Sequence, residues 1–141
     1  MSALVRLFYP TPPESTAPGA VIGWWERRRL KFNVIVGAAG LATLGLASLL
    51  ATLPPFSHSL SVPVGVIVAY ALVANACFTA GWILEVLFNA WWRDAPSRVG
   101  PILFRQGLIF SVGITLLPVV VATLEWGFRI LRLISGELLP G

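Results

Sequence analysis

The sequence predicts an all-α integral membrane protein with three transmembrane helices, a proline-rich N-terminal arm and a short C-terminal amphipathic helix. Apolar residues make up 57% of the 141 residues and charged residues only 11%, against about 25% charged in an average soluble domain. Three long apolar runs are separated by short segments that contain proline and most of the charges. A soluble fold could not cover this much apolar surface, so the bilayer must act as the solvent.

Residues 1–31 are predicted to be a cytoplasmic arm followed by a basic interfacial segment. The stretch PTPPESTAPG contains four prolines, which lack the amide donors that a helix needs. The segment that follows is typical of a membrane boundary, where tryptophan and basic side chains meet lipid headgroups. Its members are Trp24, Trp25, Arg27, Arg28, Arg29 and Lys31.

Residues 32–134 are predicted to form a three-helix transmembrane domain, with spans at about 32–53, 62–90 and 102–124. The first span would be about 33 Å long, enough to cross a hydrocarbon core of about 30 Å. Pro118 should kink the third span or mark a re-entrant turn, and both alternatives stay open. Residues 125–134 alternate charged and apolar sides, which suits a helix in the headgroup layer or a continuation of the third helix. Residues 135–141 form a tail.

Small residues recur at spacings that let helices approach closely. In the first span they form the patterns Ala38-x3-Ala42 and Ala39-x3-Thr43-x3-Ala47. In the third span they are Gly107, Ser111 and Thr115. The alternative is that glycine and alanine are simply common in such helices.

The distribution of basic residues predicts the orientation. Five precede the first span, none lie in the first loop, three follow the second span and two follow the third. By the positive-inside rule, the N-terminus and the second loop are cytoplasmic and the C-terminus is outside. The string ANACFTAGWILE in the second span is similar to sequences of small bacterial membrane proteins, but it indicates no family and no activity. We expect a multi-pass protein of the bacterial inner membrane.

Polar residues on the second span fall three or four positions apart, so a helix would align them on one face. They are Asn75, Thr79, Trp82, Glu85 and Asn89. The amide of Asn75 should face another helix, because an unpaired amide in hydrocarbon is costly. It would either tie helices together or contact a ligand in a cavity. Glu85 is predicted either to pair with a nearby arginine or to carry a proton.

No residue set suggests catalysis, and we expect no enzyme activity. The sequence contains no phosphate-binding loop, dinucleotide fingerprint or zinc-protease motif, and we expect no cofactor and no metal. His58, the single histidine, is a candidate axial ligand, although a loop histidine is more often a plain polar residue. The formal charge of +4 does not indicate nucleic-acid binding, because the basic residues lie beside apolar runs.

Two classes of function remain. In the first, the chain is a non-catalytic subunit that packs through small-residue helix faces within a larger membrane complex or a homo-oligomer. In the second, it forms a small homo-oligomeric channel or transporter lined by the Asn75–Glu85 face of the second helix. Other membrane subunits or further copies, together with the lipid bilayer, are the expected partners.

Overall fold

The computed structural model describes residues 9–55, 59–92 and 99–136. They form three helices and no strand: α1 is Pro18–Thr52, α2 is Val64–Trp91 and α3 is Val99–Ile134. All three are long and apolar enough to cross a membrane. The predicted all-α fold with three candidate transmembrane helices is therefore confirmed.

Helix α1 begins much earlier than the predicted span. Pro18 stands at its first position, where a proline costs no hydrogen bond because the first amides of a helix have no partner within it. The basic segment before residue 32 is thus the first part of α1. The preceding proline-containing residues 9–17 are not helical, and the indole of Trp24 donates a hydrogen bond to the Thr11 carbonyl (2.7 Å).

Helix α3 continues through Pro118 without a break. A long helix tolerates an internal proline as a local bend, because only one backbone hydrogen bond is lost. Residues 125–134 are its last turns, so in the described part of the chain the separate C-terminal helix predicted from the sequence is absent. Contacts with the end of α1 keep these turns beside the bundle: Trp126 Nε1 donates to the Pro54 carbonyl (3.0 Å) and Arg129 Nη2 to the Leu50 carbonyl (3.1 Å).

Pairs of contacts show how the helices run. Trp25 and Asn33 of α1 contact Glu85 and Asn75 of α2 respectively, so these helices are antiparallel. Helix α3 runs parallel to α1, since Thr43 and Leu50 contact Thr115 and Arg129. The three helices alternate in direction along the chain, as three successive membrane crossings require.

Most of the large buried side chains lie at one end of this bundle. We call it the basic end: residues 18–31 of α1, 79–91 of α2 and 99–108 of α3. The rings of Trp24, Trp25, Phe78 and Phe104 meet there or one turn away, edge to face, with centroids 5.2–6.4 Å apart. The remaining turns expose many large aliphatic side chains, as expected of helices whose outer surfaces face lipid.

Candidate functional site

A cluster of hydrogen-bonded polar side chains joins α1 to α2. We call it the polar seam: Glu26, Arg29 and Asn33 of α1 with Asn75 and Thr79 of α2. The guanidinium of Arg29 donates to Asn75 Oδ1 (3.3 Å) and Thr79 Oγ1 (3.1 Å). The amides of Asn33 and Asn75 donate to each other, at 3.2 and 3.0 Å. Arg29 also forms an ion pair with Glu26 (2.7 Å). The seam therefore satisfies its own donors and acceptors.

Helix periodicity explains why these residues meet. The three seam residues of α1 are spaced three and four apart, and the two of α2 are four apart, so each set occupies one helix face. The two faces oppose each other because the helices are antiparallel. Phe78 lies beneath the seam, with the Arg29 guanidinium 4.9 Å from its ring centroid, which favours a fixed position for the cation.

Glu85 lies one and a half turns beyond the seam and joins all three helices. Its side chain is fully buried, at 0% exposure, and Oε2 accepts a hydrogen bond from Trp25 Nε1 of α1 (2.5 Å). The carboxylate also lies against Gly100 in the first turn of α3, where a side-chain Cβ would collide with it. Free amides at a helix N-terminus stabilise a nearby negative charge. Glu85 thus accepts a hydrogen bond from an indole and lies against a helix end, and it is not paired with an arginine, which was one of its two predicted roles.

The side chain of Trp25, which donates to the Glu85 carboxylate, is surrounded by close contacts. Its ring packs against Phe78 and Phe104, with centroid distances of 5.2 and 6.0 Å. A Cβ at Gly81 of α2 would lie 2.7 Å from its Cη2 atom, so the glycine is what allows α2 to approach. This close contact fixes the position of the indole donor.

The placement of the tryptophans corrects the sequence prediction. Trp24 and Trp25 are only 3% and 2% exposed, so they belong to the protein core and do not contact lipid headgroups. The exposed tryptophans at this end are Trp91 and Trp92, at 77% and 56%. The sequence motif Trp-Trp occurs twice, and nothing in the local pattern distinguishes the buried pair from the exposed one.

The four basic residues predicted to meet headgroups have different roles. Arg27 and Lys31 are exposed. Arg28 is partly buried, with its guanidinium carbon 3.8 Å from the centroid of the Trp24 ring, and it donates to the Trp24 carbonyl (2.8 Å). Arg29 belongs to the polar seam, where it bonds to Glu26, Asn75 and Thr79.

The remaining predicted residues of α2 also lie toward the protein. Trp82 and Asn89 are half-buried, and their Nε1 and Nδ2 atoms have no partner among the described residues. The same holds, within the described ranges, for the second oxygen of Glu85, Oε1. His58 lies outside the described residues.

The predicted small-residue face of α3 is divided. Thr115 is buried: its carbonyl accepts from Thr43 Oγ1 (2.8 Å) and its hydroxyl meets that of Tyr70. Ser111 is half-buried, and its carbonyl accepts from the Tyr70 hydroxyl (3.3 Å). Gly107 is exposed, and a Cβ there would have no neighbour within 4 Å.

Sequence reasoning missed the α1 half of the seam. Glu26, Arg29 and Asn33 stand three and four positions apart, which is the same signal that revealed the polar face of α2. The acid was overlooked because it stands directly before a run of basic residues, which we interpreted as a single headgroup-binding cluster.

The seam predicts the result of a double substitution. Asn75→Leu alone leaves the Asn33 amide and one Arg29 donor without an acceptor, so it should destabilise the bundle by about 2 kcal/mol. Adding Asn33→Leu removes one of the stranded groups and should restore part of the loss. Unfolding of each variant in mixed micelles measures both effects. Equal stability of Asn75→Leu and the unmodified protein would contradict the seam.

The hydrogen bonds of the polar seam attach α1 to α2. Every seam donor described above has an acceptor on the opposite helix or on its own, and the Thr79 hydroxyl donates to the Asn75 carbonyl (2.9 Å). Comparisons of the chain with protein-family models, with curated proteins and with solved structures gave no match.

Proposed function

We propose that this chain is a non-catalytic subunit that packs through small-residue helix faces within a larger membrane complex or a homo-oligomer. The observation that carries the proposal is the division of α1 into two small-residue stripes. The inner stripe includes Thr43, Ala47 and Ala51, which are buried. The outer stripe is exposed and consists of Gly37, Ala38, Leu41, Ala42 and Gly45.

The inner stripe supports this use of small residues. Thr43 bonds to the backbone of α3, and the position of a Cβ at Gly40 would be 3.8 Å from the Thr115 methyl group. Small side chains therefore bring two helices together within the chain. The outer stripe has glycine or alanine at four of its five positions and open space at Gly37 and Gly45, which suits contact with another helix.

The alternative function was a channel lined by the Asn75–Glu85 face of α2. In a single chain this face is turned inward, and three of its side chains are hydrogen-bonded to residues of α1: Asn75, Thr79 and Glu85. An aqueous path along this face would require those bonds to be exchanged for water. The geometry supports helix attachment over transport.

The protein's size in mild detergent, with the co-purifying chains identified by mass spectrometry, tests the proposal. Ala42→Leu places a branched side chain on the outer stripe and should release the partner or reduce the oligomer, leaving the helical content unchanged. The matched control is Ala69→Leu on the exposed side of α2, which should assemble normally. A chain that is monomeric and free of partners before any substitution contradicts the proposal.

A further inference from the structure

One side of α1 is exposed along most of the helix. Its residues recur at spacings of three or four, so they form a single stripe on the helix surface. We call it the outer face of α1: Arg27, Lys31, Val34, Ala38, Ala42, Gly45 and Leu49, all of which are exposed. It joins two exposed charges at the basic end to members of the outer stripe of small residues.

The apolar part of this face has small residues in its middle and larger ones at its ends. Ala38, Ala42 and Gly45 lie between Val34 and Leu49, which are 61% and 57% exposed. Val34 and Leu49 are separated along the axis by a rise of about 23 Å, most of a hydrocarbon layer of about 30 Å. Small residues at such positions allow the backbone of a second helix to approach closely. One transmembrane helix can therefore follow the face from end to end.

The charged part of the face lies directly beside the apolar part. Lys31 stands one turn before Val34, and Arg27 stands one turn before Lys31. In the part of the chain that the structure describes, neither forms an ion pair, and the ion pair of this segment joins Arg29 to Glu26 on the side toward α2. A helix that follows the face meets Lys31, and shielding its ammonium group from water is costly unless a carboxylate pairs with it. The occupant should therefore carry an acid at this level.

A second copy of the chain does not complement these charges. Copies in one membrane share one orientation, so a two-fold contact through the outer face places both pairs of basic residues side by side, and like charges repel. On the other helix surfaces described at the basic end, Glu26 is paired with Arg29 and Glu85 is fully buried. Glu14 is exposed but precedes α1, in residues 9–17. The charges therefore favour a different protein.

We infer that the outer face of α1 binds one transmembrane helix of a different protein, and that this helix places an aspartate or glutamate beside Lys31. The small residues of the face admit the partner's backbone, and the acidic side chain neutralises the ammonium group. The inference rests on the proposed function as a subunit. It adds that the assembly is hetero-oligomeric and gives the chemistry of the partner at the basic end.

Coupling with a carbodiimide in native membranes tests the acidic contact. The reagent joins an amine to a carboxylate that touches it, forming an amide bond with loss of water. Lys31 is the only lysine in the sequence, so a lysine of this chain can couple at no other position. We expect one adduct with a protein of different mass, in which peptide mapping finds Lys31 joined to an aspartate or glutamate.

Two substitutions at this position provide matched controls. Lys31→Arg keeps the positive charge but removes the amine, so the adduct should disappear while the partner still co-purifies. Lys31→Gln removes the charge as well, and the amount of partner retained at a fixed dilution in mild detergent should fall about threefold. Equal retention of the partner by the two variants would contradict the acidic contact.

Photo-crosslinking tests the apolar part of the face. Benzoylphenylalanine in place of Val34 should give an adduct with the same partner that couples to Lys31. The matched control carries the probe in place of Val73 on α2, which is similarly exposed at 60%, and it should give lipid adducts.

The outcomes separate this inference from the proposed function. An adduct of twice the chain's mass, whether through Val34 or between Lys31 and Glu14, overturns the hetero-oligomer and leaves the subunit proposal as a homo-oligomer. Lipid adducts alone at Val34, while a partner still co-purifies, overturn the binding face and leave the subunit. A chain that purifies alone as a monomer and gives neither adduct overturns both.

Discussion

Gly81→Ala is expected to destabilise the bundle by about 2 kcal/mol, because the added methyl group overpacks the contact between α1 and α2. The methyl carbon would lie 2.7 Å from Cη2 and 3.0 Å from Cζ3 of Trp25. The ring cannot move aside easily, since Phe78 and Phe104 pack on it and its indole nitrogen is bonded to Glu85. The clash should therefore outweigh the gain in helix propensity of about 1 kcal/mol that alanine brings.

Gly113→Ala is the matched control for this measurement. Gly113 also lies within a helix, and a Cβ there would have no neighbour within 4 Å, so the substitution should be neutral or stabilise by up to about 1 kcal/mol. Unfolding in mixed micelles, followed by circular dichroism, compares the two variants. Gly81→Ala should cost less in a Trp25→Leu protein than in the unmodified one, because the ring that the methyl group meets is then absent. Equal stability of the two alanine variants would show that α2 does not approach Trp25 in this way.

Glu85→Ala is expected to cost about 3 kcal/mol, because it removes the acceptor of a buried hydrogen bond and leaves a cavity. The Trp25 indole donor would have no acceptor in its place, and the first turn of α3 would lose the carboxylate that lies against Gly100. Glu85→Gln keeps an oxygen that can accept from the indole. It should lose only the interaction between the charge and the helix end, about 1 kcal/mol.

A double-mutant cycle with Trp25→Phe isolates this contact. If Glu85 acts through the indole, Glu85→Ala should cost at least about 1 kcal/mol less in the Trp25→Phe protein than in the unmodified one. The unfolding free energies of the four proteins give the coupling directly. Additive losses would mean that Glu85 and Trp25 stabilise the bundle independently.

The sequence alone determines that this protein resides in a lipid bilayer. Apolar runs of more than twenty residues with charges only at their ends need a bilayer, whatever the packing of the helices. The polar face of α2 was equally accessible to prediction, because Asn75, Thr79 and Glu85 differ in chemistry from their neighbours and repeat with the helical period. The structure places these three side chains against α1.

The partners of those side chains depended on the tertiary structure. One of the two predictions for Glu85 placed an arginine beside it, whereas the structure places Trp25 there and pairs Arg29 with Glu26. Which residue meets which is decided by the axial register of α1 against α2. That register follows from close contacts such as Gly81 against Trp25, which leave no periodic signal in either helix.

The distinction between lipid-facing and protein-facing surfaces was likewise decided only in three dimensions. In a soluble helix, polarity marks the outer side, but in a membrane helix both sides are apolar, so periodicity alone cannot separate them. Gly107 and Thr115 belong to the same predicted stripe, yet one is exposed and the other buried. Trp24 and Trp25 are core residues while Trp91 and Trp92 are exposed, because only the first pair lies where all three helices converge.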